Sequence, residues 1–363
     1  MLADDGRVFC WGSNEHGQLG SRTTDTCALP NFHGLPPKEV PCRETAVAVD
    51  SLTDVAQIAI GASTACARSN DGTVRCWGEN TFGTVGDGTT TDRHAPVQVP
   101  GLAHVAQIAL SSTHACACHD DGTVDCWGLN FAGQLGTAPE PPPPGAVETM
   151  GIAAVKVLSP RRVPGLSDVV AIGVGTEITC AKDKAGDVRC FGKVAPRARG
   201  HSEPTLVPEL RGATALVLNE GYPGTTHCAL FADGSGRCWG VQAGAGPLLA
   251  ASTLEPSPVV STVIAGAARL ALSPTRACAV GVAGEVSCWG DDGRGGNAPP
   301  ARVTLATASS AIALGANHAC ALGHDGSVSC WGDSFYGQAG APAKGTNAPT
   351  STFWTAANTI ALP

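Results

Sequence analysis

The chain has 363 residues, of which 43% are hydrophobic and 15% are charged, and its formal net charge is −8 at pH 7. Its sequence pI of about 5.6 provides no basic surface for a nucleic-acid backbone, so the composition excludes that class of partner. No apolar run approaches the roughly 20 residues of a membrane helix, and the first residues show no signal-peptide pattern. The 46 glycines and 26 prolines favour short strands joined by turns.

One short pattern recurs seven times along the chain. Six copies contain two cysteines ten positions apart, and a seventh, MLADDGRVFCWG, opens the chain at residues 1–12 without its first cysteine. Each copy ends in an aromatic residue followed by glycine, and these aromatic anchors are Trp11, Trp77, Trp127, Phe191, Trp239, Trp289 and Trp331. Their spacing of 42 to 66 residues is typical of a four-stranded blade with loops of variable length.

Each copy predicts a β-hairpin with a glycine in the left-handed region of its turn. This position holds Gly6, Gly72, Gly122, Gly186, Gly234, Gly284 and Gly326. Counting outward from the turn makes the two cysteines a non-hydrogen-bonded pair, with Cα atoms about 4.5 Å apart, which is within the reach of a disulfide. We therefore expect hairpin disulfides at Cys66–Cys76, Cys116–Cys126, Cys180–Cys190, Cys228–Cys238, Cys278–Cys288 and Cys320–Cys330.

Four further cysteines stand outside these six pairs. Cys27 and Cys42 are expected to pair within an inserted loop at residues 21–50. Cys10 and Cys118 are expected to stay unpaired, Cys10 because its partner would stand one position before Met1.

The segments on either side of each hairpin also recur. The segment before it, such as VAQIAIG (55–61), is almost continuously apolar, which is typical of an inner strand buried on both faces. The segment after it, which we call the return loop, is rich in glycine in four copies: WGSNEHGQLG (11–20), WGENTFGTVG (77–86), WGLNFAGQLG (127–136) and WGDSFYGQAG (331–340). The fourth, fifth and sixth copies lack this motif.

The pattern W-G-x-N-x-x-G-Q-L-G, with D-G-x-V in the hairpin before it, resembles the repeat family named after the regulator of chromosome condensation. The resemblance covers essentially the whole chain and implies an all-β, seven-bladed propeller of four-stranded antiparallel blades. The paired cysteines look like those of secreted bacterial members. The single domain divides into repeats at about 1–51, 52–100, 101–165, 166–210, 211–262, 263–306 and 307–350, and residues 351–363, which include NTIALP (358–363), are expected to complete an otherwise incomplete first blade.

Few residues suggest chemistry, and no catalytic, cofactor-binding or metal-binding motif stands out. His114, His227 and His318 recur just before the first hairpin cysteine and are interpreted as structural, with catalysis or metal binding as the alternative. The cluster of Cys118 and His119 beside Cys116 has metal-like spacing, but Cys116 is assigned to a disulfide. Turn chemistry explains the aspartates before the turn glycines, which are Asp5, Asp71, Asp121, Asp233 and Asp325.

Two insertions, residues 21–50 and 137–163, interrupt the repeats, and the second contains PEPPPP (139–144). Together with the loops at 193–210, 241–257 and 291–301, these insertions are candidate binding regions, with neutral loop growth as the alternative. Trp354 is the one tryptophan outside the anchors.

These observations predict a monomeric, non-enzymatic protein-interaction module without a cofactor, located outside the cytoplasm or on the surface of a bacterium. The resemblance implies a second hypothesis, nucleotide exchange on a small GTPase, the activity of the family's founding member. A lyase or hydrolase at the mouth of the ring is a third. Oxidised hairpins argue against a cytosolic GTPase partner, and only the histidines support an enzyme. The expected partner is a protein with a neutral or basic surface, bound at a rim of the ring.

Overall fold

The computed structural model describes residues 1–29, 38–139, 155–193, 200–219, 226–240, 255–261, 264–291, 297–334, 336, 338–339 and 358–360. Within these ranges the chain is all β apart from one 3-10 turn, Pro208–Leu210. The strands form seven antiparallel sheets, the blades of a seven-bladed propeller, as the repeat pattern predicts.

The strands follow one another in chain order through the blades. The first blade contains β1 (Phe9–Ser13), β2 (Thr26–Leu29) and β3 (Lys38–Ala48). The second contains β4 (Val55–Ile60), β5 (Thr64–Ser69), β6 (Val74–Gly78) and β7 (Arg93–Gln98). The third contains β8 (Val105–Leu110), β9 (His114–His119), β10 (Val124–Leu129) and β11 (Lys156–Arg162). The fourth contains β12 (Val169–Val174), β13 (Ile178–Asp183), β14 (Val188–Gly192) and β15 (His201–Leu206).

The remaining three blades have the same order of strands. The fifth contains β16 (Ala215–Val217), β17 (His227–Leu230), β18 (Gly236–Gly240) and β19 (Glu255–Ser261). The sixth contains β20 (Ala267–Leu272), β21 (Arg276–Gly281), β22 (Val286–Asp291) and β23 (Asn297–Val303). The seventh contains β24 (Ser309–Leu314), β25 (His318–Gly323), β26 (Val328–Gly332) and β27 (Asn358–Ile360).

The hairpin register brings the cysteines together in all six blades that carry a pair. Each pair is directly opposite across the two middle strands, with the Cα atoms 4.1 Å apart. Cys27 and Cys42 form a seventh disulfide, with a Cα–Cα distance of 5.8 Å. Cys10 and Cys118 are free thiols.

The first blade differs from the four-stranded pattern that the sequence predicts. Its order is β1-β3-β2, because the inserted loop folds into a hairpin that adds β2 beyond the outer strand. On the inner side of β1, the described residues contribute one isolated bridge, between Leu2 and Val8.

The C-terminal strand lies in the seventh blade, so the expectation that it completes the first blade is wrong for residues 358–360. Ile360 pairs with Val328 on β26, and residues 361–363 are outside the described part. In the other blades too, the segment that follows the hairpin pairs with its outer strand. The three residues 358–360 could pair at the outer edge of a blade as well as at its inner edge. Their composition therefore does not distinguish the two positions.

The register of the first hairpin leads to a prediction about Cys10. Leu2 pairs with Val8, and Phe9 N donates to Met1 O at 2.8 Å, so a residue directly before Met1 would face Cys10. A chain extended by Met-Cys ahead of Met1 is expected to form a disulfide with Cys10 and to gain about 2–3 kcal/mol of unfolding free energy. Peptide mapping without reduction and denaturant unfolding measure both effects. A Met-Ser extension is the control, and a free Cys10 thiol in the Met-Cys chain would contradict the register.

The hydrophobic core lies mainly between blades, at contacts that we call joints and name by the two blades they connect. At joint 2/3, the Cys66–Cys76 disulfide of the second blade packs in one cluster with Trp127 of the third. At joint 4/5, Cys180–Cys190 packs with Trp239. The disulfide of one blade thus supports the anchor of the next, so the cross-links and the aromatic repeat act at the same places.

Candidate functional site: the joints and the two faces of the ring

The tryptophan anchors of the first three blades hydrogen-bond to the return loop of the preceding blade, whereas the indole nitrogens of the other three, Trp239, Trp289 and Trp331, are buried without a partner in the described part of the chain. Trp77 Nε1 donates to Gln18 O at 3.0 Å, and Trp127 Nε1 donates to Thr84 O at 2.8 Å. Both rings are buried, at 1% exposure, so each indole N–H finds its acceptor inside the joint. Trp77 and Trp127 are therefore packing residues with a satisfied polar group.

The same contact closes the ring between its last and first blades. Trp11 Nε1 donates to Gln338 O at 3.0 Å. Phe9, Val328 and Ile360 share one buried cluster there. Among the described residues, closure therefore depends on side-chain packing and one indole hydrogen bond rather than on a shared strand.

The return-loop motif is explained by the second blade. Asn80 Oδ1 accepts the N–H of Val85 at 2.9 Å, and Asn80 Nδ2 donates to Thr91 O at 3.1 Å, so this asparagine holds the loop together. Gly86 has a φ of 77°, and a Cβ at this position would stand 2.6 Å from Trp127 Nε1. The motif shapes a platform for the next anchor.

The fourth blade replaces the missing indole with a hydroxyl. Its anchor is Phe191, which has no N–H, and the residue paired with it is Thr179. Thr179 Oγ1 donates to Gln134 O at 2.9 Å, the carbonyl that corresponds to Gln18 O and Thr84 O. This exchange was not predicted from the sequence. The signal for it was a threonine in place of alanine beside the first hairpin cysteine, in the one copy whose anchor is phenylalanine.

His114 is a structural residue in joint 3/4. Its side chain is fully buried, with Nε2 2.8 Å from Thr179 Oγ1 and Nδ1 3.2 Å from Ser111 Oγ. Since the Thr179 hydroxyl already donates to Gln134 O, Nε2 carries the proton. Burial lowers the pKa of His114 to about 3, so the imidazole is neutral at ordinary pH. It has no surface on which to meet a substrate.

His227 does not share the repeat position of His114 and His318, so that part of the sequence interpretation is wrong. It lies directly beside Cys228 and faces Trp239 across the hairpin, whereas the other two lie one residue earlier. His227 Nδ1 accepts the N–H of Asn219 at 3.1 Å, and burial lowers the pKa of His227 to about 3. Burial also lowers the pKa of His318. The three histidines occupy separate joints and do not converge.

Cys118 and His119 point away from each other, which removes the basis for a metal site between them. The Cys118 thiol donates to Val169 O at 3.4 Å, and burial raises its pKa to about 11. His119 contacts Ala103 O at 2.8 Å on the other face of the strand. No group of three or more metal-binding side chains occurs among the described residues.

His119 instead belongs to a buried ionic network. Its Nε2 is 2.7 Å from Asp125 Oδ2, and Arg162 Nε donates to Asp125 Oδ1 at 2.9 Å. The bond to Asp125 raises the pKa of His119. Burial alone would raise the pKa of Asp125, but the bonds from His119 and Arg162 hold it below its usual value. The protonated imidazole is therefore the form that the fold stabilises.

Stability should depend on pH through this network. Because the folded pKa of His119 is raised above 6.5, the stabilisation is complete below that pH and is lost as pH rises through the folded value. Asp125→Asn is expected to lower the unfolding free energy by about 1.5–3 kcal/mol at pH 6 and by less at pH 9. Denaturant unfolding at both pH values tests this, with Asp71→Asn at the exposed turn of the second blade as the control. An equal loss at both pH values would contradict the role of the imidazolium.

A glutamine on the inner strand clamps two of the joints, and the sequence analysis did not identify it. Gln57 Nε2 donates to Ile108 O at 2.9 Å, while Gln57 Oε1 accepts the N–H of Ile108 at 3.0 Å. Gln107 makes the same two bonds to Ile172, at 3.2 and 2.9 Å. We call this pair of bonds the glutamine clamp. A polar residue within an otherwise apolar VAQIA segment was the available signal.

The hairpin turns and the segments joining successive blades meet on one side of the ring, which we call the hairpin face. Val105 N donates to Gly72 O at 3.2 Å, and Val169 N donates to Gly122 O at 3.0 Å, and the same bond joins the turns of the first six blades to the start of the next blade. The turn aspartates accept backbone N–H groups two residues on, as with Asp71 Oδ1 and Thr73 N at 2.9 Å. Hydrogen bonds from the Thr or Ser hydroxyl two residues on lower the pKa of the turn carboxyls of Asp121, Asp233 and Asp325, followed by the backbone N–H bonds, which are the larger cause for Asp71; all four carboxyls are exposed.

The hairpin face is strongly acidic. The turns and connecting segments carry Asp4, Asp5, Asp50, Asp54, Asp71, Asp120, Asp121, Asp168, Asp187, Glu209, Asp233, Glu285 and Asp325. The lysines and arginines in the same segments are Arg7, Lys184 and Arg211. All three are already paired with carboxylates of this face, Asp5, Asp168 and Asp187 respectively. Arg75, Arg162 and Arg237 on the adjacent strands also attract Asp71, Asp121 and Asp233, but the carboxylates of this face still outnumber the cations around them.

Several predicted regions fall outside the described residues. These are Trp354, the proline-rich part of insertion 137–163, and much of the loops at 193–210, 241–257 and 291–301. Across the described part of the chain, no helix is long and apolar enough to cross a membrane.

Comparison with protein families gives consistent matches. A model described as the regulator of chromosome condensation (RCC1) repeat matches residues 5–68, 71–118 and 121–181. A second model of the same repeat matches residues 55–84, 105–134 and 310–338. Together the matches extend over more than half of the chain.

Among curated proteins, the human probable E3 ubiquitin-protein ligase HERC3 is 36% identical over 97 residues. That match covers 26% of this chain and 8% of HERC3, so the chain spans less than a tenth of that relative's length.

Solved structures show the same architecture. Human WBSCR16 superposes with a TM-score of 0.75 at 19% identity, covering 98% of this chain and 94% of that one. Prp20p from Saccharomyces cerevisiae, in a structure described with its binding to Gsp1p and histones, gives a TM-score of 0.69 at 18% identity over 99% and 87% of the two chains. At these identities the likeness concerns the fold alone.

Proposed function

Because the chain belongs to the regulator of chromosome condensation repeat family, we propose that it is a non-enzymatic protein-interaction module that works outside the cytoplasm. The observation that carries this proposal is the acidic hairpin face, which a ring of seven blades presents to solvent. Seven sets of turns on one rigid frame make a surface that suits a large partner.

The charge pattern supports a protein partner with a basic surface. Exposed Asp71, Asp121 and Asp233 belong to the second, third and fifth blades, so negative charge is spread around the face. Such a field speeds the encounter with an oppositely charged partner and weakens as salt concentration rises.

The engagement of the histidines supports a binding role over catalysis. His114 and His227 are buried and neutral, and His119 is fixed between Asp125 and a backbone carbonyl. A general acid or base must reach a substrate and titrate near the working pH. Burial and hydrogen bonds give these side chains a structural role instead.

The cysteine pairs support a location outside the cytoplasm, and in particular a secreted, periplasmic or surface-exposed module of a bacterium. Seven pairs lie at disulfide distance, and such bonds persist in oxidising compartments.

Regulation of a small GTPase by nucleotide exchange is the second candidate function. Its support is the fold likeness to Prp20p, whose structure is described with its binding to Gsp1p. The disulfides favour the first candidate, because small GTPases act in a reducing compartment.

A charge-removal experiment separates these proposals. In a triple variant, Asp71→Asn, Asp121→Asn and Asp233→Asn, the amide oxygen can still accept the turn N–H, so the hairpins keep their shape while the face loses three charges. The matched control is Glu39→Gln, Glu44→Gln and Glu203→Gln, three exposed carboxylates on outer strands.

Capture from a secreted or cell-envelope fraction is measured for both variants at low and moderate salt. The hairpin triple is expected to lose at least about tenfold in capture of basic proteins, and the control is expected to keep it. Equal capture by both variants would place the binding surface elsewhere. Accelerated nucleotide release from a small GTPase would favour the second candidate.

A further inference from the structure

The turn of the sixth blade breaks the charge pattern of the hairpin face. In the other six blades, the two residues before the turn glycine include at least one charged side chain, such as Asp71 in the second blade and Asp325 in the seventh. In the sixth blade these two residues are Val282 and Ala283. An apolar, uncharged pair at this position therefore occurs in one turn of the ring.

The fold does not explain this exchange. The sixth turn closes through the same backbone bonds as the others, since Gly284 N donates to Gly281 O at 3.0 Å and Gly281 N donates to Glu285 O at 2.9 Å. Ala283 cannot supply the carboxylate that accepts a backbone N–H in the turns of the second, third, fifth and seventh blades. Val282 is 86% exposed, so it adds little to the core. The pair weakens the turn locally, and packing does not compensate for this.

The two segments beside the sixth turn lack charge as well. Residues 264–268 lead into the sixth blade and residues 304–309 lead into the seventh, and neither segment contains a charged side chain. The segments at joints 1/2, 3/4 and 4/5, in contrast, carry carboxylates. A Cβ added to Gly284 would stand 2.7 Å from the Cβ of exposed Ala308, so the second segment lies directly against the turn. The exposed apolar residues of this region, which we call the apolar sector, are Val282, Ala283 and Ala308.

Carboxylates of the neighbouring turns border the apolar sector. Asp325 Oδ1 accepts the hydroxyl of Ser327 at 2.6 Å and that of Thr307, in the uncharged segment beside the sixth turn, at 3.3 Å. The bonds from Ser327, and to a smaller extent the bond from Thr307, lower the pKa of exposed Asp325. Hydrogen bonds from Ser235 likewise lower the pKa of exposed Asp233 in the fifth turn. Both carboxylates are therefore charged at neutral pH.

We infer that the apolar sector is the centre of the docking surface on the hairpin face, and that it receives an aliphatic or aromatic side chain that the partner protein flanks with lysine or arginine. The inference rests on the proposed function, in which this face binds a basic protein, and adds where the contact is centred. Burial of apolar surface holds a bound partner, while a charged rim orients it.

The combination of features carries this inference, since single exposed apolar residues are ordinary on protein surfaces. Val282 stands where a polar residue would favour the turn, it has alanines beside it, and carboxylates lie beyond them on the fifth and seventh turns. A partner that is basic throughout would gain nothing from the valine. A partner with an apolar residue between cations complements both parts of the surface.

Substitution of Val282 by asparagine removes the apolar side chain without disturbing the turn. Asn70 occupies the same position in the second blade, so Val282→Asn is expected to fold as well as the wild type, which thermal unfolding measures. The matched control is Ile60→Asn, which removes an aliphatic side chain that is 60% exposed at the end of β4, away from the hairpin turns.

The binding probe is a random-peptide display library, selected on the intact, oxidised wild-type protein at moderate salt. The selected peptides are expected to contain an aliphatic or aromatic residue flanked by lysine or arginine. They are expected to bind Val282→Asn at least about tenfold more weakly than they bind the wild type or Ile60→Asn. Equal binding to the wild type and Val282→Asn, or a selection that yields no binder, would overturn the inference.

The triple variant Asp71→Asn, Asp121→Asn and Asp233→Asn separates failure of this inference from failure of the proposed function. If the triple variant loses the selected peptides while Val282→Asn retains them, the hairpin face binds basic partners but the apolar sector is not its centre. If both variants retain them, the hairpin face is not the docking surface and the proposed function fails as well.

Discussion

Replacing Trp127 by alanine is expected to lower the unfolding free energy by about 3–5 kcal/mol, because the ring fills the core of joint 2/3 at 1% exposure. The substitution also leaves Thr84 O without its indole donor. Urea or guanidinium unfolding under oxidising conditions measures the loss.

Two milder variants separate packing from hydrogen bonding at this position. Trp127→Phe retains much of the packing and is expected to lose about 1–2 kcal/mol. Thr179→Val, which removes the substitute donor of joint 3/4, should give a loss of similar size, since it deprives Gln134 O and His114 Nε2 of a partner. If Trp127→Phe lowers the unfolding free energy as much as Trp127→Ala does, the shape of the indole matters more than its volume. The loss of the indole hydrogen bond would then not explain the effect of Trp127→Phe.

Gly122→Ala is expected to destabilise the protein by about 3 kcal/mol, for two separable reasons. The residue has a φ of 78°, which costs an alanine about 1–2 kcal/mol. In addition, the new Cβ would stand 2.6 Å from the Cα of Asp168 in the next blade, where backbone must move to make room.

Gly326→Ala tests the cost of the positive φ alone. Gly326 occupies the same turn position with a φ of 82°, but no other described atom lies within 4 Å of the added Cβ. Unfolding midpoints of the two variants should therefore differ, with Gly326→Ala losing only about 1–2 kcal/mol. Equal losses would show that the approach of the next blade contributes nothing.

Local periodicity was sufficient to predict the blades, because each hairpin is specified within about a dozen residues. The turn glycine, the cysteine pair and the anchor stand at fixed spacings within each hairpin. The structure places each cysteine opposite its partner. The same reasoning explained the turn glycines only in part. Their second role, close approach to the following blade, depends on a contact between repeats that are far apart in sequence.

Contacts between blades account for what the sequence analysis missed or misplaced. The glutamine clamp joins Gln57 to a backbone 51 residues away, and no local pattern shows that distance. The exchange of an indole for the Thr179 hydroxyl is visible only when its acceptor is known. Residues 358–360 were assigned to the wrong blade because a short apolar segment matches either edge of a sheet. Of the candidate binding surface, the turn aspartates were noted, but not that the nearby cations are already paired.

The ten-residue spacing of the hairpin cysteines has a consequence for how the protein matures. Outside the third blade, the nearest cysteine to a hairpin pair is Cys42, 24 positions before Cys66, and the next cysteine after a completed pair is at least 32 positions away, so each hairpin thiol is closest in sequence to its correct partner. Contact across a loop of about ten residues forms in about 10–100 ns. Each hairpin can therefore oxidise while later repeats are still being synthesised, and correct pairing requires no search over the whole chain.

The third blade is the exception to this oxidation of hairpins in the order of their synthesis. Cys118 lies only eight positions before Cys126, closer than the true partner Cys116. A premature bond between Cys118 and Cys126 would shift the register by two residues, which keeps each side chain on its own face but misplaces the turn and leaves Cys116 unpaired. A chain with this bond needs thiol–disulfide exchange to reach its final pairing, as does a chain in which the free Cys10 bonds to Cys27 before Cys42 is synthesised, so a disulfide isomerase would act mainly on the third and first blades.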